Sequence, residues 1–199
     1  MKKVLYIKAN PKSDDNSVSF KMSEAFIEEY KKANPEDEVI TLDLYKEGIK
    51  LIDENMLKDL FSGKETEMLK YAKQFAEADR YVIAAPMWNL GSPAILKAYF
   101  DYVVMVGVTF KYTEQGPVGL LLGMGKKAVH IVARGGMYSE GPGANYEMGD
   151  RYIKTILPFM GIEDVSTISS ELTNVLQGEE LQASVNKSIE EARRVAKSF

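Results

Sequence analysis

The sequence predicts a doubly wound α/β sandwich built on a five-stranded parallel sheet. Five short apolar runs alternate with segments whose apolar residues recur at helical spacing. The runs show little polar alternation, as expected of parallel strands covered on both faces. Turn-forming residues gather just after the first, third and fourth runs, where the strands of such a sheet hand over to helices.

Residues 4–7 form the first strand, and the polar stretch 8–16 follows it. A helix begins at about Ser17, with Met22, Ala25, Phe26, Tyr30 and Ala33 at helical spacing. Asn16 or Ser17 caps it, and Asn34-Pro35 ends it. Residues 39–44 form the second strand, so the first crossover is right-handed and parallel. Residues 45–64 are irregular apart from a short helical piece over 54–61. Residues 65–78 place Leu69, Ala72, Phe75 and Ala76 on one helical face. The third strand covers 81–85, and Pro86, which has no N–H for the ladder, stops it. Ser92 caps the next helix and Pro93 fits its first turn. That helix runs to about Val104 with Ile95, Leu96, Tyr99, Phe100 and Val103 inward.

Residues 109–120 break this rhythm. Alternation at Phe110 and Tyr112, followed by Gly116-Pro117, predicts an extended excursion with a turn. Residues 127–133 form the fourth strand and open into a glycine-rich loop over 134–143. A helix from about Tyr146 to Met160 is interrupted or kinked at Pro158. Residues 165–168 form the fifth strand. The closing helix covers 179–197, with Leu181, Val185, Ile189, Ala192 and Ala196 inward. No repeat or internal linker divides the chain, so residues 1–199 read as one domain. Crossovers of this length favour the flavodoxin-like strand order 2-1-3-4-5, by analogy with other doubly wound sheets.

Composition narrows the function. Hydrophobic residues make up 45% and charged residues 27%, a globular balance. The net charge is −4 with no basic block, which argues against nucleic acid as a partner. Cysteine is absent and histidine occurs once, so neither thiol chemistry nor a zinc cluster is expected, and no metal site is assigned. The apolar run near Met1 is too short for a signal peptide, and no stretch approaches membrane-spanning length. A cytoplasmic protein with no membrane partner is the expectation.

In a sheet of this order the loops after strands one, three and four share the carboxyl edge, where ligands bind. The first, from Asn10 to Ser19, enters a helix N-terminus, whose free N–H groups and positive dipole end suit a phosphate. Ser13, Ser17 and Ser19 add donors, Asp14 and Asp15 oppose an anion, and taken alone the loop reads better as ordinary helix capping. The second loop, Met87-Trp88-Asn89-Leu90-Gly91, offers a flat polarisable surface, an amide and a flexible turn. The third, Arg134-Gly135-Gly136, lets backbone amides approach a flat heterocycle, and its arginine offers a charge to balance. Each loop alone also reads as a plain surface turn. Together they suit FMN, with phosphate at the first loop and isoalloxazine between the other two.

Four segments carry a family resemblance. Residues 85–90 read A-P-M-W-N-L, and residues 107–119 read G-V-T-F-K-Y-T-E-Q-G-P-V-G. Residues 134–136 read R-G-G, and residues 17–19 read S-V-S. With these segments the chain resembles the FMN-dependent NADH-azoreductases, bacterial flavodoxin-like quinone reductases, over nearly its full length. The resemblance implies a homodimer with one FMN per subunit near the interface. It implies ping-pong, two-electron reduction of quinones and azo compounds by NADH or NADPH, with no protein residue as catalytic nucleophile, because the flavin carries the chemistry. By position, Ser17, Val18 and Ser19 would hold the phosphate, joined by Asn10, which stands where members commonly have serine. Pro86, Met87, Trp88, Asn89 and Leu90 would line the isoalloxazine, as would Ala133, Arg134, Gly135 and Gly136. Phe110 and Tyr112 would either wall the partner's flavin or pack locally.

Two other classes share features with this reading. A flavodoxin-type electron carrier has the same fold and cofactor, but the 107–119 excursion and an open flavin site favour the enzyme. A phosphodiesterase acting on acyl carrier protein, a name long attached to relatives, needs a nucleophile, an acid–base pair or a metal. His130 is the only histidine and lies mid-strand, where a packed core residue is the better reading.

Overall fold

The computed structural model describes residues 1–199. Its elements are β1 (Lys3–Lys8), α1 (Val18–Ala33), β2 (Glu38–Asp43), α2 (Glu54–Phe61), α3 (Glu67–Glu77), β3 (Arg80–Pro86), α4 (Ala94–Val103), β4 (Phe110–Thr113), β5 (Gly116–Gly119), β6 (Lys127–Ala133), α5 (Gly149–Met160), β7 (Asp164–Ser170) and α6 (Gly178–Ala196). The main sheet has the order β2-β1-β3-β6-β7 with every pair parallel. Numbered within that sheet alone, this is the expected 2-1-3-4-5. β4 and β5 form a separate antiparallel hairpin, which is the excursion the sequence predicts.

Strand periodicity sorts the core into two layers. Leu5, Ile7, Tyr81, Ile83 and Ala128 face a cluster with Phe75, Tyr99, Phe100, Ile153 and Leu157 from α3, α4 and α5. Val4, Tyr6, Val82, Ala84, Val129 and Ile131 face the other way, onto Phe20, Met22 and Phe26 of α1 and Ala192 and Ala196 of α6. Successive strand side chains point to opposite faces, so two apolar layers require runs without polar alternation. Every residue of β3 is buried accordingly.

Several boundaries differ from the sequence expectation. Pro86 is the last residue of β3, paired with Ala133, rather than the stop beyond it. The ladder continues one bond further, from Met87 N–H to the Ala133 carbonyl at 2.8 Å. Ser92 does not cap α4. Pro93 does, with an extended ψ of 141°, and its carbonyl accepts from Leu96 at 2.9 Å. α5 starts at Gly149 because Glu147 reaches forward and accepts from the amides of Asp150 and Arg151 at 2.8 and 3.1 Å. A 3-10 turn, Pro142–Tyr146, occupies the stretch before it. Pro158 does not interrupt α5; it sits in the last turn, where Gly161 closes the helix in a left-handed conformation (φ 101°).

The hairpin packs its end on this helix terminus. A Cβ at Gly119 would lie 2.4 Å from the Met160 carbonyl carbon, so only glycine permits the contact. No helix is long and apolar enough to cross a membrane.

Candidate functional site

The first loop leaves β1 and enters α1 at Ser17, whose Oγ accepts the Phe20 N–H at 3.2 Å as the N-cap. The Ser19 Oγ lies 3.1 Å from it, and Asn10 Nδ2 donates to Ser17 Oγ at 2.9 Å. Both hydroxyls are buried. The first-turn amides of Val18 and Ser19 are groups that a helix leaves without internal partners. Asp14, which would oppose an anion, is tied down by Lys8. The Lys8 ammonium lies 2.5 Å from Asp14 and 2.8 Å from Glu24, with Phe20's ring beneath it at 4.5 Å. Burial alone would lower the Lys8 pKa, but the two carboxylates outweigh it and raise the value.

The second loop closes on itself. Trp88 N–H donates to the Gly91 carbonyl at 2.8 Å, and Gly91 N–H returns a bond to Trp88 at 3.0 Å. Asn89 and Leu90 between them both have positive φ, 47° and 69°. This is the primed two-residue turn, for which Asn-Gly is the favoured sequence. A leucine in the left-handed region costs about 1–2 kcal/mol, so the surroundings must hold it. One restraint is visible: the Leu90 carbonyl accepts the Met148 N–H at 2.9 Å.

The third loop is stitched to the chain beyond β7. Thr173 N–H donates to Arg134, Asn174 N–H to Gly135 and Leu172 N–H to Gly136, all at 3.1–3.2 Å. A Cβ on Gly135 would meet Asn174 Nδ2 at 2.5 Å, so this glycine allows a close approach.

These loops enclose a cleft of about 230 Å³. Of the residues expected from the sequence, Asn10, Ser17, Val18, Ser19, Pro86, Met87, Trp88, Ala133 and Gly135 line it. Asn89, Leu90, Arg134 and Gly136 do not. Asn89 and Leu90 form the outward tip of the primed turn and are exposed. Gly136 faces Tyr138, whose ring would lie 3.1 Å from an added Cβ. Arg134 is engaged on the side of Glu171 and Glu147. Its buried guanidinium donates to Glu171 at 3.0 Å and lies 3.6 Å from Glu147, so its charge is already matched inside the protein. Glu171 also accepts from Tyr138 N–H and Ser139 Oγ, at 2.9 and 2.5 Å. Burial pushes its carboxyl up, but these bonds prevail and hold it below the usual range.

Lys12, Asn16, Thr173 and Asn174 also line the cleft and escaped the sequence reading as site residues. The signal for the last two was a Thr-Asn pair just past the fifth strand, at the same carboxyl edge. Phe110 is buried and packs on Phe159 at 4.9 Å, while Tyr112 is 70% exposed. His130 is a core residue. Its Nδ1 lies 2.9 Å from Asp150 Oδ1, and the same oxygen accepts from Thr167 at 2.6 Å.

The donor set suits FMN. Two buried hydroxyls at a helix N-terminus match a phosphate group, and the half-exposed Trp88 indole and half-buried Met87 offer a surface for a flat ring. Gly135 lets the Asn174 side chain approach the loop backbone closely, and both residues line the cleft.

A five-stranded doubly wound sheet with this cleft at its carboxyl edge defines a flavodoxin-like protein with a nucleotide-type cofactor site. The family described as having a flavodoxin-like fold matches residues 2–196. The chain is 57% identical, over the full length of both, to FMN-dependent NADH:quinone oxidoreductase 2 of Clostridium acetobutylicum. It is 54% identical, again over both full lengths, to the FMN-dependent NADH:quinone oxidoreductase of Caldicellulosiruptor saccharolyticus. Among solved structures, azoreductase from Bacillus anthracis str. Sterne superposes with a TM-score of 0.89 at 40% identity, covering all of both chains. An FMN-dependent NADH-azoreductase from Bacillus anthracis str. Ames Ancestor, in complex with FMN, has a TM-score of 0.86 at 34% identity, covering 98% of this chain and 100% of that one. The chain therefore belongs to the flavodoxin-like family and, within it, to the FMN-dependent NADH:quinone oxidoreductases and azoreductases.

Proposed function

We propose that this protein is an FMN-dependent oxidoreductase that uses NADH to reduce quinones by two electrons and to cleave azo compounds. The observation that carries this reading is a single cleft holding buried Ser17 and Ser19 at a helix N-terminus and, further along, Trp88, Met87 and Gly135. When bound, FMN supplies the redox chemistry, taking a hydride from reduced nicotinamide and passing two electrons to the acceptor.

The protein's own residues bind and orient. Ser17, Val18 and Ser19 hold the phosphate through hydroxyls and first-turn amides. Pro86, Met87, Trp88, Ala133 and Gly135 line the ring site. Thr173 and Asn174 complete the lining, with Asn174 fixed by its backbone bond to Gly135. No protein nucleophile or acid–base pair is required.

A homodimer fits the same geometry. Beside Val106, 57% exposed, and Phe61, 82% exposed, runs an apolar groove of about 570 Å³ that a second copy would cover. The reaction consumes reduced nicotinamide, which supports a cytoplasmic location.

The test is the visible spectrum of the purified protein, followed by steady-state turnover of NADH with a quinone. A flavin spectrum, release of FMN on denaturation and sustained turnover support the proposal. FMN without turnover would leave an electron carrier, and no flavin would overturn the assignment.

A further inference from the structure

Lys12 is the only charged residue lining the cleft. Its side chain is exposed, and none of the ion pairs in the structure involves it. Its neighbour Lys8 is committed, since Asp14 and Glu24 both hold its ammonium within 2.8 Å. A phosphate monoester carries about −1.5 to −2 charges at neutral pH. The N-terminus of α1 offers only about half a positive charge, and the Ser17 and Ser19 hydroxyls carry none. Asp15 lies nearby in the same loop and adds repulsion. Uncompensated negative charge is costly where water is partly excluded, and a cation at the cleft would lower that cost.

We propose that Lys12 supplies the counter-charge for the phosphate of FMN and thereby selects the phosphorylated flavin over riboflavin. The inference rests on the flavin reading above and adds the residue that reads the cofactor's charge. The backbone already brings Lys12 to the cleft. Asn10 accepts the Lys12 N–H on Oδ1 at 3.1 Å while donating from Nδ2 to Ser17 Oγ at 2.9 Å. One buried amide thus spans the loop that carries the cation and the helix cap that carries the hydroxyl. Asn10 acts here as a positioning residue, and Lys12 makes the charged contact.

The experiment titrates flavin-free full-length protein with FMN and with riboflavin, read by flavin fluorescence. Wild type, Lys12→Gln, Lys12→Arg and the double variant Ser17→Ala/Ser19→Ala are compared. Lys12→Gln should weaken FMN binding about five- to tenfold at low salt and leave riboflavin binding unchanged. Lys12→Arg should keep most of the FMN affinity. Added salt should weaken FMN binding to wild type more than to Lys12→Gln. Equal FMN affinity in wild type and Lys12→Gln, with a clear loss in the serine double variant, would overturn the role of Lys12 and leave the phosphate site standing. Equal weakening of both flavins by Lys12→Gln would also overturn it, since the effect would then be structural. Wild type that binds FMN no better than riboflavin would remove the phosphate placement itself.

Discussion

Two serines in the first turn of α1 do different work although they sit two residues apart. Ser17 is the N-cap and its Oγ holds the Phe20 amide. Ser19 lies inside the helix, where its hydroxyl meets only Ser17. Removing a cap costs about 0.5–2 kcal/mol of stability, whereas a charge-assisted bond to a ligand is worth about 1.5–3 kcal/mol. Ser19→Ala should therefore weaken FMN binding by roughly tenfold or more with little change in the thermal midpoint. Ser17→Ala should lower both. Fluorescence titration and thermal melting of each variant make the check, and a Ser19→Ala protein with wild-type affinity would refute the assignment. The hydroxyls touch each other, so the two effects will not add. The helix cap at Ser17 was legible in the sequence because capping is a local rule. The ion pair of Arg134 was not, because its partner Glu171 lies 37 residues further along.

At the scale of elements, α5 is anchored to the sheet through one carboxylate. Asp150 in its first turn meets His130 of β6 and Thr167 of β7, and its other oxygen lies 2.8 Å from Lys154. Burial pushes the Asp150 carboxyl up, but hydrogen bonds from His130, Lys154 and Thr167 prevail and hold it well below the usual carboxylate range. A depressed native pKa gives stability that is present above the unfolded value, about 3.9, and is lost as pH falls through the native one. Asp150→Asn should thus cost about 1–3 kcal/mol at pH 7, and its deficit against wild type should shrink as pH drops below about 4. Denaturant melts at several pH values would show this, and a deficit independent of pH would contradict it. His130→Ala should lose stability by a similar amount but keep bound flavin and turnover, because the ring is in the core and lines no part of the cleft. A folded, flavin-loaded variant without turnover would mean that the histidine takes part in the chemistry.

For the whole molecule, one open cleft at one sheet edge constrains the kinetics. Hydride transfer needs reacting atoms about 3–3.5 Å apart, so donor and acceptor must take turns at the same exposed surface beside Trp88. Initial rates should give parallel double-reciprocal lines, with excess quinone competing against NADH; intersecting lines would point to a ternary complex. Light scattering should report twice the chain mass of 22.3 kDa. A fully active monomer would show that one chain encloses its flavin sufficiently.

The alternation of elements was written in the sequence. Residues 127–133 and 54–61 match β6 and α2 at both ends, because periodicity, caps and turn residues are local properties of the chain. The glycine and serine loops at the carboxyl edge were legible for the same reason. What only tertiary structure decided was the direction of particular side chains. Arg134 pairs with Glu171 and Glu147, and Lys12 reaches the cleft without any motif to announce it. His130 finds Asp150 twenty residues away across two elements. Local rules say which face of a strand or helix is buried. Which polar groups meet depends on strand order and on how loops distant in sequence pack together, and that is a property of the assembled sheet.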